Sequence, residues 1–265
     1  ACKYHIEFGT EKSKAMSIST NHKPKLNFGE MKLEHVQKYK YLGEIIEEKM
    51  SLKPHIRAIK GKAEAALQTI IAIAGDPIFQ GIQLKTIWKL VNAIIIPIIT
   101  HGADTWERND EDTKQINQIL DNIIKRILIT PTSTPREVLY VETGTIDAAH
   151  TIDQRRMGSF NRLQKTKNPL LTKILENEST ITWGKNTLNY ITPKYEIPVE
   201  TIMNTNTSIK QVLKQKVQTK FKTHINASIQ SRNLSKGKHL IEGVGDWSPD
   251  KRPDYMNNVT GLTAL

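Results

Sequence analysis

A turn and the segment that follows it decide the fold of this chain. Residues Lys40 to Ile46 read KYLGEII, and Lys53 to Arg57 read KPHIR shortly afterwards. Glycine permits a tight turn or a close backbone approach, so Tyr41-Leu42-Gly43 predicts the tip of a β-hairpin. A helix is predicted to begin near Ser51, a plausible N-cap, with Pro54 in its first turn. The pattern therefore changes from strands to helices at about residue 50.

The first 50 residues carry the short alternating patterns of β-strands. Apolar and polar residues alternate from Tyr4 to Phe8 and again from Ala15 to Ser19, with a polar turn between them. Gly29-Glu30 separates two further short runs, and Val36 to Ile46 continues the series into the KYLGEII turn. Because such runs bounded by turns form hairpins, we predict a small antiparallel sheet here.

From Ser51 onward the spacing of apolar residues becomes helical. In the first predicted helix they recur every three or four residues and share one face: Ile56, Ile59, Ala63, Leu67, Ile70 and Ala74. Pro97 should kink or end the second helix, because proline lacks the amide proton that a helix interior needs. Similar patterns predict further helices at 112–129, 146–165, 169–178 and 208–231. The predicted fold class is therefore α+β, mostly α.

The predicted elements group into five consecutive segments. Residues 1–50 hold the sheet, 51–130 a first helical region and 131–185 a second. Residues 186–206 lack periodicity and contain Pro193 and Pro198, so we predict a linker there. Residues 207–265 are predicted to form a basic C-terminal helix followed by an irregular tail.

The chain is strongly basic. Its 265 residues include 38 Lys and Arg against 27 Asp and Glu, which gives a net charge of +11 and a pI near 9.5. Such a balance points to a polyanionic partner, most often nucleic acid, although a basic surface that serves only solubility is the alternative. The single cysteine, Cys2, allows no disulfide within the chain and suits a reducing intracellular compartment, with nucleus or cytoplasm undecided.

The basic residues are concentrated in two places. In the first predicted helix Lys53, Arg57 and Lys60 recur at four and three residues, beside the apolar face. Between Glu200 and Glu242 there is no acidic residue, and a one-sign run of this length favours contact with phosphates. A basic face with no partner is the alternative. The run includes Lys210, Lys214, Lys216, Lys220, Lys222, Arg232, Lys236 and Lys238.

Other classes of site find little support in the sequence. It contains no GxxxxGK phosphate loop, no HExxH and no GxSxG. Asp110-Glu111-Asp112 is a dense acidic cluster at the start of a predicted helix, where acids complement the helix dipole, and metal binding is the alternative. The apolar run from Ala93 to Ile99 is too short to span a bilayer, so we expect no membrane partner. Because the sequence opens in mid-pattern at Ala1, we expect a piece of a longer protein.

Taken in order, these segments resemble the C-terminal half of a reverse transcriptase of non-LTR (LINE-type) retrotransposons, over about residues 5 to 165. The segments that carry the resemblance are Phe8 to Met16, Tyr39 to Ile46, Lys53 to Ile56, Trp88 to Pro97, His101 to Trp106, Ile119 to Ile129 and Thr134 to Leu139. The resemblance implies an RNA-directed DNA polymerase, in which 1–50 ends the palm and carries the primer grip, 51–130 is the thumb and 131–185 the post-thumb region.

The resemblance also implies roles for particular residues. Lys12 would lie near the incoming triphosphate and donate a proton to pyrophosphate, or else be a turn lysine in solvent. Tyr41-Leu42-Gly43 would form the primer grip, or else a hairpin turn packed on the core. The three cations of the first helix, named above, would face the duplex of template and primer.

The family's catalytic step uses two metal ions held by an aromatic-x-Asp-Asp turn, and no such turn occurs in this sequence. We expect it upstream of Ala1, in the fingers and palm of the same polypeptide, with Mg²⁺ bound there and not within this chain. The chain alone is then predicted to hold an RNA template and its RNA–DNA or DNA primer duplex without polymerising. A non-catalytic RNA-binding or scaffold protein derived from such an element is the alternative.

Overall fold

The computed structural model describes residues 12–28, 31–75, 82–106, 109–166, 169, 173, 187–203 and 209–232. The chain divides into two units, Ala1–Ala58 and Ile59–Leu265. The first unit holds the strands, and the second holds most of the helices. This confirms the predicted α+β, mostly α class. The predicted strand at 4–8, nearly all of the predicted helical pair at 169–178 and the tail after Lys236 lie outside the described residues.

Six short strands form three pairs in the described part of the first unit. Their bounds are β1 Lys14–Ala15, β2 Asn27–Phe28, β3 Met31–Lys32, β4 Glu34–His35, β5 Lys38–Tyr41 and β6 Glu44–Glu47. Pairs β2–β3 and β5–β6 are antiparallel hairpins, whereas β1 pairs with β4 in parallel. The strands thus form separate ladders where we predicted one antiparallel sheet. Strands of two to four residues offer little apolar surface to hold a wider sheet, and Ala15 alone is buried among the described strand residues.

Helix α1 (Lys53–Gly75) follows the strands and was predicted with the correct apolar face. All six residues of that face are at most 7% exposed. The amide of Lys53 lies 3.4 Å from Ser51 Oγ, and the amide of Ile56 donates to the carbonyl of Leu52 to open the helix. Helices in proteins gain most of their stability from packing. Burial of the apolar face therefore stabilises α1.

Pro97 changes the helix without ending it at once. Helix α2 (Leu84–Leu90) runs into a π-helical turn at Val91–Ile95 and then into α3 (Ile96–Ile99). In the π-helical turn the amide of Ile96 donates to the carbonyl of Val91, five residues back. The wider turn accommodates a proline ring that would otherwise strike the preceding turn, and the helix ends two residues later.

Three further helices, α4 (Asp110–Ile127), α5 (Arg136–Thr143) and α6 (Ala148–Gln164), pack together in the second unit. Asn109 caps α4, its side chain accepting from the amides of Glu111 and Asp112. Asp147 caps α6 by accepting from the amide of His150 at 2.8 Å. Side-chain oxygens at these positions satisfy amides that a helix leaves without partners.

The linker predicted at 186–206 is wrong for the part that the structure describes. A π-helical turn at Thr187–Ile191 leads into α7 (Thr192–Lys194), and α8 spans Val199–Met203. Ile191, Tyr195, Ile197 and Ile202 are buried in a cluster with residues of α6 and of the last helix. The segment shows no periodicity because short turns, and not a continuous helix, bring its apolar side chains inward.

Helix α9 (Lys210–Ser231) confirms the last predicted helix. Its buried residues recur every fourth position: Ile209 at the N-cap, then Leu213, Val217, Phe221, Ile225 and Ile229. The apolar pattern that predicted this helix also included Val212, which is 40% exposed. No helix in the described ranges is long and apolar enough to cross a membrane.

Candidate nucleic-acid interface

The β5–β6 hairpin closes in the two-residue turn that the sequence predicted. Tyr41 pairs with Glu44, which leaves Leu42 and Gly43 as the central residues. Their φ angles are 48° and 92°. Positive φ at both central positions is the mark of a type I′ turn, which matches the twist of a hairpin and normally requires Asn or Gly first. Leucine at that position is unusual.

The hairpin tip is exposed and is not packed on a core. Tyr41 is 58% exposed and Leu42 is 80% exposed. The packed-turn alternative for Tyr41-Leu42-Gly43 therefore does not describe this hairpin. An aromatic and an aliphatic side chain at the end of an exposed ladder thus form a small apolar tip.

The hairpin is fixed to the start of α1 by a buried histidine. His55 is 1% exposed, and its Nδ1 accepts a hydrogen bond from the amide of Ile45 at 3.3 Å. A neutral imidazole that accepts at Nδ1 carries its proton on Nε2. This bond orients the hairpin against the first turn of the basic helix, within the first unit.

Lys12 lies at the beginning of the described chain and is exposed. Its carbonyl accepts a hydrogen bond from the Tyr39 hydroxyl at 3.0 Å, which connects this segment to β5. The structure thus brings the backbone of Lys12 to the strand that leads into the hairpin tip. Its predicted role with a triphosphate stays a prediction.

The cations predicted on α1 are exposed, as their role requires. Lys53, Arg57 and Lys60 all lie on the solvent side of the helix. Lys60 Nζ lies 3.9 Å from a carboxylate oxygen of Glu64, one turn further on. Such an exposed pair is worth about 0–1 kcal/mol, so it yields readily to a phosphate.

The last helix carries five lysines of the basic run, and the first four, Lys210, Lys214, Lys216 and Lys220, do not share one face. Lys210 and Lys214 each follow a residue of the buried stripe, whereas Lys216 and Lys220 each precede one. Because successive residues are about 100° apart, the two pairs lie on opposite flanks of α9. Lys220 Nζ also pairs with Glu196 at 3.3 Å. The basic residues of α9 therefore form two separate surfaces. Lys210 also lines a groove, which is described next.

A groove of about 580 Å³ runs along α6 beside the start of α9. Its cationic lining consists of Arg155, Arg162, Lys165 and Lys210, and its acidic lining is Asp104. Partial burial, with the nearby charge of Arg162, lowers the pKa of Arg155 against the opposing effect of Asp104. Burial is the largest of these effects on Arg155, so the groove removes part of the water from a charged guanidinium.

A buried polar network fixes the helices that form this groove. Tyr140 on α5 donates to the carboxylate of Asp121 on α4, and Arg136 donates to the Tyr140 hydroxyl at 3.3 Å. Arg136 also lies 3.6 Å from Asp147, whose carboxylate accepts from His150 Nδ1 at 2.7 Å. These contacts join α4, α5 and α6; Tyr140, Asp147 and His150 are buried, whereas Arg136 and Asp121 are partly exposed.

The last helix joins this network through an aromatic contact. Phe221 packs edge-on against Tyr140 at 5.5 Å and against His150 at 5.1 Å, measured between ring centroids. Edge-to-face pairs of this kind add to the energy of area burial. The position of α9, and with it one wall of the groove, therefore depends on the network.

The network changes the pKa of its members in opposite directions. Burial raises the pKa of Asp121, with the hydrogen bond from Tyr140 and the charge of Arg136 opposing it. Burial also raises the pKa of Asp147, but the charge and hydrogen bonds of His150 outweigh it and hold that pKa below the usual value. Burial beside Asp121 raises the pKa of Tyr140 well above its usual value.

The acidic cluster at 110–112 is explained by its helix. All three acids lie in the first turn of α4, where they complement the positive end of the helix dipole. Within the described residues, no group of three or more His, Cys, Asp or Glu is arranged to hold a metal ion. The expectation that Mg²⁺ binds outside this chain is untested.

Sequence reasoning missed the cations that α6 contributes to the groove. Arg155, Arg162 and Lys165 lie in a second span without acidic residues, between Asp153 and Glu176. The same search for a one-sign run that found 200–242 would have found this span.

Comparison of the chain with protein-family models, with curated proteins and with solved structures gave no match.

Proposed function

We propose that this chain is the nucleic-acid-binding C-terminal part of a retrotransposon reverse transcriptase, an RNA-directed DNA polymerase. Its role is to hold the duplex of RNA template and primer. The chain supplies the primer grip and thumb, while the upstream fingers and palm of the same polypeptide supply the catalytic aspartates and Mg²⁺. This proposal carries forward the resemblance of the sequence to that family.

One observation supports the proposal most strongly. An exposed apolar hairpin tip is hydrogen-bonded, through Ile45 and His55, to the first turn of a helix that presents cations to solvent. A primer end offers both an apolar sugar–base surface and a row of phosphates. Phosphate contacts position a duplex without reading its sequence, so binding with little sequence preference is expected.

The residues divide among three roles. Tyr41 and Leu42 contact the primer terminus, and Gly43 gives the turn its shape. The cations of α1 and α9 contact the phosphate backbone. Lys12, if it lies near the triphosphate, donates a proton to the leaving pyrophosphate.

The test compares two triple variants of the full chain. One carries Lys53→Ala, Arg57→Ala and Lys60→Ala. The control carries Lys85→Ala, Lys89→Ala and Lys114→Ala, which remove three exposed lysines from α2 and α4. Both lose the same charge, and exposed substitutions of this kind usually change stability by less than about 0.5 kcal/mol each.

Fluorescence anisotropy with a labelled RNA–DNA duplex supplies the readout. The first variant should bind more weakly than the control, and its dependence of log affinity on log salt should be shallower by up to about 2.7. Equal affinities and equal slopes for the two variants would show that this face of α1 does not touch nucleic acid.

A further inference from the structure

The groove beside α6 is built on one continuous helix face. Its lining residues Thr151, Arg155, Gly158, Arg162 and Lys165 recur at intervals of four, three, four and three. Residues at these intervals lie above one another along a helix. Lys210, the first residue of α9, adds a fourth cation from the opposite wall.

The charge of the lining favours an anionic occupant. Four cations face one carboxylate, that of Asp104. This carboxylate already accepts from Ser159 Oγ at 2.7 Å and lies 3.9 Å from Arg162 Nη2. An anion in the groove would form charge-assisted hydrogen bonds with the arginines.

The form of the lining favours a backbone over a base. No aromatic side chain is present among the described residues that line the groove, so stacking of bases has no platform there. The cations on this face extend from Arg155 to Lys165, nearly three turns of helix, and do not converge on one point. A row of cations matches a row of phosphates better than it matches a single small ion.

Gly158 keeps the middle of the groove open. A Cβ added at this glycine would meet no atom within 4 Å. Glycine in a helix interior makes the helix less stable than alanine would, so helix stability does not explain why residue 158 is a glycine. An open backbone at this point permits a ligand to approach the helix closely.

We propose that the groove between α6 and α9 binds phosphates of a nucleic-acid backbone, as a contact surface that adds the cations of α6 to those of α1 and α9. This proposal rests on the proposed function, because the occupant is the same duplex or the single strand that leaves it. Arg162 and Lys165 contact phosphates directly, Lys210 contacts them from the far wall, and Gly158 admits the chain.

Two variants of the full chain test the groove, each with a matched control. Arg162→Gln with Lys165→Gln removes two groove charges, and Lys85→Gln with Lys89→Gln removes two charges elsewhere on the second unit. Gly158→Leu fills the groove without changing charge, and Gln118→Leu places the same side chain at an exposed position of α4. Circular dichroism establishes that each variant is folded, and if Gly158→Leu fails to fold the charge pair still decides.

Anisotropy titrations with an RNA–DNA duplex and with single-stranded RNA, each at several salt concentrations, give the result. For at least one probe, the slope of log affinity against log salt should be smaller in magnitude by about 2 for the double groove variant than for the parent chain. The affinity of the control variant should change less than that of the groove variant. Gly158→Leu should also lower the slope. Because it removes no charge, that loss would report phosphates kept out of the groove.

Three outcomes separate this proposal from the one it rests on. Weaker binding and a lower slope confined to the groove variants support it. If the parent chain binds both probes and the groove variants match their controls, the groove proposal is overturned and the proposed function stands. If the parent chain binds neither probe at low salt, both fall together.

Discussion

Leu42 holds a backbone conformation that its side chain disfavours. A left-handed conformation costs a residue with a Cβ about 1–2 kcal/mol, and Leu42 holds it at φ 48°. The side chain is 80% exposed and regains little of that energy by burial. Strain that the fold does not repay is a common feature of binding sites, which motivates a test at this residue.

Leu42→Asn should separate stability from binding. Asparagine tolerates the left-handed conformation, and Asn-Gly is the preferred pair for this turn. We expect the hairpin to gain about 1 kcal/mol, seen as slower amide hydrogen exchange in β5 and β6, while duplex affinity falls. Met50→Asn is the control, because Met50 is also left-handed, at φ 54°, and exposed, but lies outside the tip. A tip that binds no nucleic acid would leave the affinity of both variants unchanged.

Tyr140 gives the buried network a measurable pH dependence. Its pKa in the folded chain is raised, so the unfolded chain releases the phenol proton first. The stabilisation is therefore fully present below about pH 10 and is lost as the pH rises further. Tyr140→Phe should reduce the free energy of unfolding near neutral pH by about 1–3 kcal/mol, because Asp121 loses a buried donor.

The same variant should also flatten the alkaline loss of stability. Urea unfolding from about pH 8 to about pH 11 measures both effects, with Tyr41→Phe, at the exposed tip, as the control. An alkaline slope equal to that of the parent would show that Tyr140 is not the phenol concerned.

At the scale of elements, the sequence predicted those helices whose apolar residues repeat locally. The stripe of α1 was correct, and that of α9 was correct except at Val212, because three- and four-residue spacing is fixed by helix geometry alone. The segment 187–203 was mistaken for a linker because its core residues enter from separate turns. Pro193 also signalled a break, yet it lies in the first turn of α7, where no amide donor is needed.

The buried stripe of α1 permits a simple test of packing. Leu67 is fully buried, and Leu67→Ala should lower the free energy of unfolding by about 2–5 kcal/mol. Ile73→Ala, on the same helix at a side chain that is 38% exposed, should cost clearly less. Thermal unfolding of the two variants makes the comparison. Equal losses would mean that α1 does not bury the face assigned to it.

At the scale of the whole molecule, composition predicted a basic protein but not how its charge is arranged. The run at 200–242 gave the charge of α9, but only the buried stripe shows that its lysines lie on two flanks. The groove joins α6 to a residue more than forty positions later, and the network joins residues from four helices. Such juxtapositions depend on tertiary packing, which no local pattern encodes.

The fold class and the hairpin turn could thus be predicted, and so could the cations of α1, because each depends on neighbouring residues. The groove and the bond between His55 and Ile45 could not, because they require two elements to meet. The chain exposes an apolar hairpin tip and cationic helix faces. The proposed function matches these to the sugar–base surface and the phosphates of a duplex.

The salt dependence of binding by the unmodified chain tests the central claim most directly. Affinity for an RNA–DNA duplex is measured by anisotropy from low to high salt. If the cations of α1 alone neutralise three phosphates, log affinity should fall linearly with log salt with a slope of at least about 2.7 in magnitude. Binding that does not change with salt, or no binding at low salt, would contradict the account.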